Sequence, residues 1–508
     1  MEFSTIIDIN DPVYTFCEVM DHVDLQKFIA KKERNTGRPK CDQEKLLRIV
    51  LFAFMENGIV SLRELESLCR HDIRYMWLLD EMPAPSFATF GNFIRNVLTD
   101  SVEDIFAEIN RYIFAQDHVD LEHVYIDGTK IEANANRYSW VWKKSCIKSR
   151  DKVFIKLTEF LREINESIIP YRVKFEEREE YSVEYVELIR DRYAELLELD
   201  PAAFARGKGR RKSGEQRVYE KLTEYLNRLK KYSDCIQICG EKRNSFSKTD
   251  ESATFMRLKR DYMGNDQLLP AYNMQIAVAN EYITAVDTQQ FASDMDCFVP
   301  LMEKFHRIYG HYPKYPVADA GYGSYNNYLY CEEHGMGKYM KFTMYEKTVN
   351  DPKYRDNPFR AENFSRDDNG DPMCPEGRLF HLKARLHVRG NKYGRMEEVY
   401  ECEDCSDCPS RERCCKSSSG HRTIRLNREL TQIHKEVLAN LQSENGFRLL
   451  TNRMVEDEGA FGVIKWDYHY KRLHRRGLEA ASLEFTLISI GFNIRKYYNK
   501  KNRQQACA

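Results

Sequence analysis

Two short apolar runs, Val124-Tyr125-Ile126 and Val317-Ala318, each stop at an aspartate and then turn at glycine, although they lie far apart in the chain. Apolar runs of this length bounded by glycine read as buried strands. Much of what separates them follows a different period. Val153, Leu157, Phe160, Ile164 and Ile168 step by four, three, four and four, and similar spacing recurs from Val186 to Leu196 and from Val218 to Tyr232. That is helical spacing, so a sheet containing both runs must close around a helical insertion.

The rest of the order narrows the fold class. Tyr272, Met274, Ile276 and Val278 alternate, Ala279-Asn280-Glu281 turns, and Tyr282 to Val286 returns, which reads as an antiparallel hairpin. A helix through Leu301, Met302 and Phe305 leads into the run ending at Asp319. A helix over Tyr325 to Glu333 and a short strand at Lys338–Phe342 follow. Strand, hairpin, helix, strand, helix, strand is the ribonuclease-H-like arrangement, a mixed α/β sheet flanked by helices. The expected boundaries are a core over 116–343 and 444–508, a helical insertion over 140–245, and a Cys-bearing insertion over 345–440. Residues 1–115 read as an N-terminal all-α unit, since Leu46, Leu47, Val50, Leu51 and Phe54 repeat at helical spacing and Ser61 and Ser86 can cap further helices. Such a unit is compatible with a helix-turn-helix module and equally with a small bundle.

Charge excludes a uniformly basic nucleic-acid binder: 78 Lys and Arg stand against 79 Asp and Glu, a formal net charge of −1. Any contact with nucleic acid must be local. Lys31, Lys32, Arg34, Arg38 and Lys40 form one basic cluster, Lys208, Arg210, Arg211 and Lys212 another, and Lys471, Arg472, Arg475 and Arg476 a third. No run of 18 apolar residues occurs and the first residues do not read as a signal peptide, so the expectation is a cytoplasmic protein with no membrane span.

Asp127 and Asp319 each sit at or near a strand end, and Glu458 is expected to open a helical segment. Three carboxylates so placed can converge on Mg²⁺, a hard cation that takes oxygen ligands. Two such ions about 3.5–4 Å apart suit an in-line displacement at a phosphodiester. Lys465 follows Glu458 by seven residues, close to two helical turns, which puts an ammonium on the same face. A second candidate site lies in the Cys-bearing insertion. Cys402, Cys405 and Cys408 have C-x2-C-x2-C spacing, Cys414 follows, and Cys374 lies upstream. Cys374, Cys405, Cys408 and Cys414 are the candidate ligands of a structural Zn²⁺. An iron–sulfur cluster competes, but its usual run calls for a Cys where Glu412 stands. Unligated thiols are the third reading.

Taken together, Tyr125 to Asn136, Ala318 to Ser324, Glu458 to Lys465 and Arg475-Arg476-Gly477-Leu478-Glu479 resemble the DDE transposases of bacterial insertion sequences, in the group with a Cys-bearing insertion before the catalytic Glu. The resemblance extends over most of the chain. It implies that Asp127, Asp319 and Glu458 bind Mg²⁺ or Mn²⁺, and that residues up to about 115 bind DNA. As a transposase, the chain would act on the terminal inverted repeats of its element and on target DNA, as a homodimer or larger assembly, at the nucleoid when bound. Lys465, Lys471, Arg472, Arg475 and Arg476 are the expected phosphate contacts. A metal-dependent nuclease of the same fold and a non-catalytic, transposase-derived DNA-binding protein are the alternatives. One departure is visible: related transposases often carry a Tyr and an Arg shortly before the Glu, whereas here Thr451 stands at the Tyr position and Arg453 lies five residues before Glu458 rather than four.

Overall fold

The computed structural model describes residues 6–29, 41–80, 82–205, 207, 210–258, 264, 266–415 and 420–507, and for 457, 458 and 505–507 it describes the backbone alone. The basic cluster from Lys31 to Lys40, and Lys208, therefore lie outside the described residues. The chain divides into two compact units, one of residues 1–131, 273–289 and 293–508, the other of 132–272 and 290–292.

In the first unit, helices start where side chains can cap them. Asp42 accepts the Glu44 N–H at 2.9 Å to open Gln43–Asn57, and Ser61 with Glu64 forms a capping box on Leu62–His71. The helices Pro12–Asp21, Gln43–Asn57 and Thr99–Gln116 all pack against the terminal helix Leu478–Cys507. These three helices thus belong to one unit with Leu478–Cys507. A buried polar junction ties them to the sheet: Asn493 donates to Asn110 at 2.8 Å and to the Ile283 carbonyl at 2.7 Å, and accepts the Ile283 N–H at 2.9 Å. Left unpaired, such groups would each cost about 1–3 kcal/mol, so their mutual satisfaction fixes how the helices meet the hairpin.

The sheet strands are β1 (His123–Glu132), β2 (Thr254–Arg257), β3 (Leu268–Ala279), β4 (Tyr282–Gln289), β5 (Tyr315–Ala318) and β6 (Tyr339–Met340). Their order is β2-β3-β1-β5-β6, with β4 paired to β3. β1, β5 and β6 run parallel, while β3 and β4 form the antiparallel hairpin, so the sheet is mixed. One face is covered by Phe298–Tyr309, Tyr325–Glu333 and Arg428–Gln442, whose Phe298, Leu301, Phe305, Tyr328 and Val437 close over Val124, Ile126, Ala277 and Ala318. The Cys-bearing segment holds a three-stranded antiparallel sheet, β7 (Phe380–His387), β8 (Met396–Cys402) and β9 (Thr423–Leu426).

The second unit is built on Lys143–Ser167, Val183–Leu196 and Gly214–Cys239. The residues at helical spacing form its core, with Leu157, Ile164, Val186, Ile189, Leu222 and Leu229 almost wholly buried. A ribbon pairs Trp140–Trp142 with Ser245–Ser247, and β2 lies along the first residues of β3. Among the described residues no helix is long and apolar enough to cross a membrane.

Candidate active site

Parallel pairing places the two aspartates. Tyr125 is opposite Val317 and Ile126 opposite Ala318, so the next residues along, Asp127 and Asp319, lie side by side; Asp319 follows the end of β5, whereas Asp127 and Gly128 lie inside β1, which continues to Glu132 instead of turning as expected. Both aspartates are half-buried. Asp319 accepts the Gly321 N–H at 2.8 Å, a tight turn that keeps its carboxylate at the strand end.

The glycines beside them are required for space. A Cβ on Gly128 would lie 2.2 Å from Gln275 Nε2 and 2.8 Å from the Tyr322 hydroxyl, and one on Gly323 would lie 2.1 Å from the Lys341 carbonyl oxygen. The side chains that crowd Gly128 belong to a buried polar layer under the site. Tyr322 donates to Gln275 Oε1, and Gln275 Nε2 donates to Asn273 Oδ1 at 2.9 Å. Asp294 Oδ1 accepts from Asn273 at 2.6 Å and from Gln275 at 3.3 Å. Burial, followed by the charges of Asp294, Asp127 and Asp319, holds the Tyr322 hydroxyl proton far above its usual range. The carboxylates of Asp294, Asp127 and Asp319 are thus all near this buried hydroxyl.

Asp294, Asn273 and Gln275 were not singled out from sequence. The signal was present: Asn273 and Gln275 alternate with apolar residues along β3, yet both are fully buried, and a polar residue on a buried strand face needs a partner.

The helix Glu444–Gly462 brings the remaining candidates. Ser443 caps it by accepting the Gly446 N–H at 3.0 Å, so Glu458 lies within this helix rather than opening one. Leu449 buries its side chain against Tyr125 and Val317, seating the helix on β1 and β5. The side chains of Asp457 and Glu458 lie outside the described residues. Glu456 is committed elsewhere: it accepts the Glu281 N–H at the β3–β4 turn, and burial pushes its carboxyl up.

Beyond Gly462 the helix widens into a π turn, Val463–Asp467. The uniform 100° per residue assumed from sequence does not run through to Lys465. Lys465 nevertheless reaches the site, donating to the hydroxyl of Thr129, two residues past Asp127.

The basic stretch after it is divided. Lys471, Arg472 and Arg476 are exposed, whereas Arg475 is half-buried with Nε 3.9 Å from the buried Glu484. Glu484 also accepts the backbone N–H groups of His474 at 2.9 Å and Arg475 at 3.0 Å and the Tyr470 hydroxyl at 3.1 Å. One carboxylate thus shapes the loop that presents the exposed cations.

The cysteines of the insertion gather in part. The Cys374 N–H donates to the Arg378 carbonyl at 2.9 Å, and the Arg378 N–H turns back to Cys374 Sγ at 3.4 Å. Burial, then contact with Cys405 and the nearby Cys374, pushes the Cys402 thiol up to about 12. Burial also raises the Cys414 thiol against the lowering effect of Arg422, with Cys374 and Cys405 adding to the rise. Cys374, Cys402, Cys405 and Cys414 are thus neighbours, and Cys408 is joined to them through its N–H to the Cys405 carbonyl at 3.4 Å. Among the described residues, no group of three or more His, Cys, Asp and Glu is arranged to hold a metal ion.

Comparison with known families finds two matches. Residues 373–498 match a transposase DDE domain, and residues 1–96 match a transposase domain (DUF772). No curated protein and no solved structure matches the chain.

Proposed function

We propose, for a chain whose two domain matches support a DDE transposase of an insertion sequence, that it binds the terminal inverted repeats of its element, cleaves the phosphodiester at each end and joins the freed 3′ hydroxyl to target DNA. The observation that carries this reading is the pairing of β1 with β5, which sets Asp127 beside Asp319. In this reading the sheet is a ribonuclease-H-like core and residues 1–115 are the end-recognition region. Copies of the chain assemble as a dimer or larger complex, since two ends must be processed together.

The donor set fits hard divalent cations. Asp127 and Asp319 offer carboxylate oxygens, and the charge that they and Asp294 impose on Tyr322 is of the sign a cation would neutralise. Asp127, Asp319 and Glu458 would hold Mg²⁺ or Mn²⁺, which supplies activation of the attacking oxygen and neutralisation of charge on the phosphate. The chain's own residues position the DNA. Lys465, fixed by Thr129, is a cation at the edge of the site, and Lys471, Arg472 and Arg476 extend it along the backbone of the strand. Arg475 contributes through its loop. In the Cys-bearing insertion, Cys374, Cys405, Cys408 and Cys414 would hold a structural Zn²⁺, which would supply folding energy, with Cys402 adjacent to the set and Arg422 donating to Cys414 Sγ at 2.7 Å.

The test is strand transfer with a labelled, precleaved element end in Mg²⁺. Joined products support the transposase reading. Hydrolysis of intact ends without joining assigns a nuclease, and end binding without any Mg²⁺- or Mn²⁺-dependent nicking assigns a non-catalytic DNA-binding protein.

A further inference from the structure

The second unit carries an open cavity of about 780 Å³ between the ribbon and its helices. Trp140, Trp142 and Phe246 line it together with Lys230, Lys231 and Lys248. The tryptophans occupy alternate positions on one strand, so both project from the same face of the ribbon. Phe255 props both indoles, at 6.3 Å from Trp140 and 6.2 Å from Trp142. Trp140 is nevertheless 46% exposed, and Tyr138, edge-on to it at 6.2 Å, is 66% exposed. A rigid support behind a solvent-facing indole makes a stacking platform.

The charge around the platform has one predominant sign. Lys231 and Lys248 form no ion pair among the described residues, nor do Lys144, Lys148 and Lys152, which form a stripe of three at successive turns on the adjoining helix beside the exposed Ile155. Lys230 is paired with Glu187 at 3.1 Å, and Asp234 and Glu251 are the acids of the lining. Unpaired ammonium groups attract a polyanion, and flat aromatic faces take flat ligands. Nucleic acid combines the two. A duplex keeps its base faces within its own stack, whereas an unpaired strand offers them to aromatic side chains while its backbone follows the lysines.

We propose that this cavity binds an unpaired DNA strand, with Trp140 stacking against a base and Lys231 and Lys248 holding the flanking phosphates. The inference rests on the transposase reading for its choice of DNA. It adds to that reading a second DNA site, for single-stranded nucleotides, outside the carboxylate cluster.

The experiment measures binding of fluorescein-labelled oligo(dT) to the full chain by anisotropy, with a blunt duplex as comparison and salt varied. Trp140→Ala is expected to weaken oligo(dT) binding about ten-fold, with Trp140→Phe retaining most of the affinity. Lys231→Glu with Lys248→Glu should lower the slope of log K against log salt by about 1.4, given about 0.7 per phosphate on single strands. Photocrosslinking through 5-iododeoxyuridine should map to residues 138–142. Wild-type affinity in both Trp140→Ala and the lysine pair overturns the proposal, as do crosslinks mapping elsewhere. The lysine pair and Trp140→Phe keep it open to refutation if Trp140→Ala fails to fold. Mg²⁺-dependent cleavage of an element end by a protein that ignores oligo(dT) overturns this inference alone. Trp140-dependent oligo(dT) binding without any cleavage overturns the transposase reading and leaves the strand site standing.

Discussion

Lys465 donates its ammonium to the hydroxyl of Thr129, joining the π turn after the helix Glu444–Gly462 to β1 two residues beyond Asp127. A flexible four-carbon side chain is thereby held at the edge of the carboxylate pair, where a DNA phosphate would enter. Lys465→Ala should weaken placement of the DNA end, with a raised KM and partial activity remaining. Thr129→Val, which removes the anchor but leaves the charge, should shift KM in the same direction by less. Cleavage rates against concentration of a labelled element end decide this, and an unchanged KM in Lys465→Ala would remove the residue from DNA placement.

Steric limits around Asp319 make a stability prediction. A Cβ on Gly323 would meet the Lys341 carbonyl oxygen at 2.1 Å, and backbone cannot swing aside as a side chain can. Gly323→Ala should cost about 1–3 kcal/mol, the usual range for overpacking. Gly459, in the helix Glu444–Gly462, has open space where its Cβ would lie, and Gly459→Ala should stabilise by about 0.5–1 kcal/mol. Urea unfolding of the two variants should move the midpoint in opposite directions.

Part of the sheet could be read from alternation, because a strand with one polar face must alternate, and from the Gly-containing turn that follows β5 at Asp319; Gly128, read as a turn, lies inside β1. The β3–β4 hairpin follows from alternation on either side of Asn280-Glu281, whereas the adjacency of Asp127 and Asp319 comes from the parallel pairing of β1 with β5. Other features left weaker traces. β7 is mostly exposed on both faces, although Phe380, Leu382, Ala384 and Leu386 alternate with His381, Lys383, Arg385 and His387 as strand residues do. The π turn at Lys465 is a local choice of backbone hydrogen bonds that the side-chain period does not record. Asp294 meets Asn273 and Gln275 only through the tertiary fold, and no spacing along the chain connects it to Asp319.

Glu484 makes stability depend on pH. Burial raises its carboxyl above the unfolded value, against the lowering effects of the His474 N–H, the His474 charge, the Tyr470 hydroxyl and Arg475, whose own charge lies near Arg95. A carboxyl raised on folding favours the folded state below its unfolded pKa, and that contribution is lost as pH rises through the folded pKa. Wild-type stability should therefore fall relative to Glu484→Gln as pH rises from about 4 towards neutrality. The check is the difference in urea midpoint across that range, and a difference that stays constant with pH would remove Glu484 as its source.

The Cys-bearing insertion should contain zinc. Cys405→Ser with Cys408→Ser is expected to abolish zinc binding and loosen residues 370–415, since structural zinc supplies folding energy. Cys402→Ser tests whether the thiol beside Cys405 replaces Cys408 in the set, in which case it alone would release the metal. Elemental analysis of protein purified without chelators is the measurement. Iron in place of zinc, or neither metal, would sink the assignment.

The proposed triad of Asp127, Asp319 and Glu458 makes a further prediction. Asp127→Ala, Asp319→Ala and Glu458→Ala should each abolish cleavage and joining while leaving end binding and the fold largely intact. Changes to groups behind a metal's ligands typically cost roughly 10–100-fold in affinity or activity, so loss of a ligand should cost more. The substitutions should not lower the stability of the metal-free protein. Asp127 and Asp319 are like charges side by side, Asp294 adds a third charge near Tyr322, and removing one relieves repulsion. Asp319→Ala also loses the turn hydrogen bond to the Gly321 N–H, so its gain should be the smaller. The assay is cleavage of a labelled element end in Mg²⁺ and in Mn²⁺, beside thermal unfolding with the metals withheld. Full activity in any one of the three removes that residue from the triad. If Glu458 is the one removed, Asp457 is the next to substitute, because the Glu456 carboxylate is already taken by the Glu281 N–H at the β3–β4 turn.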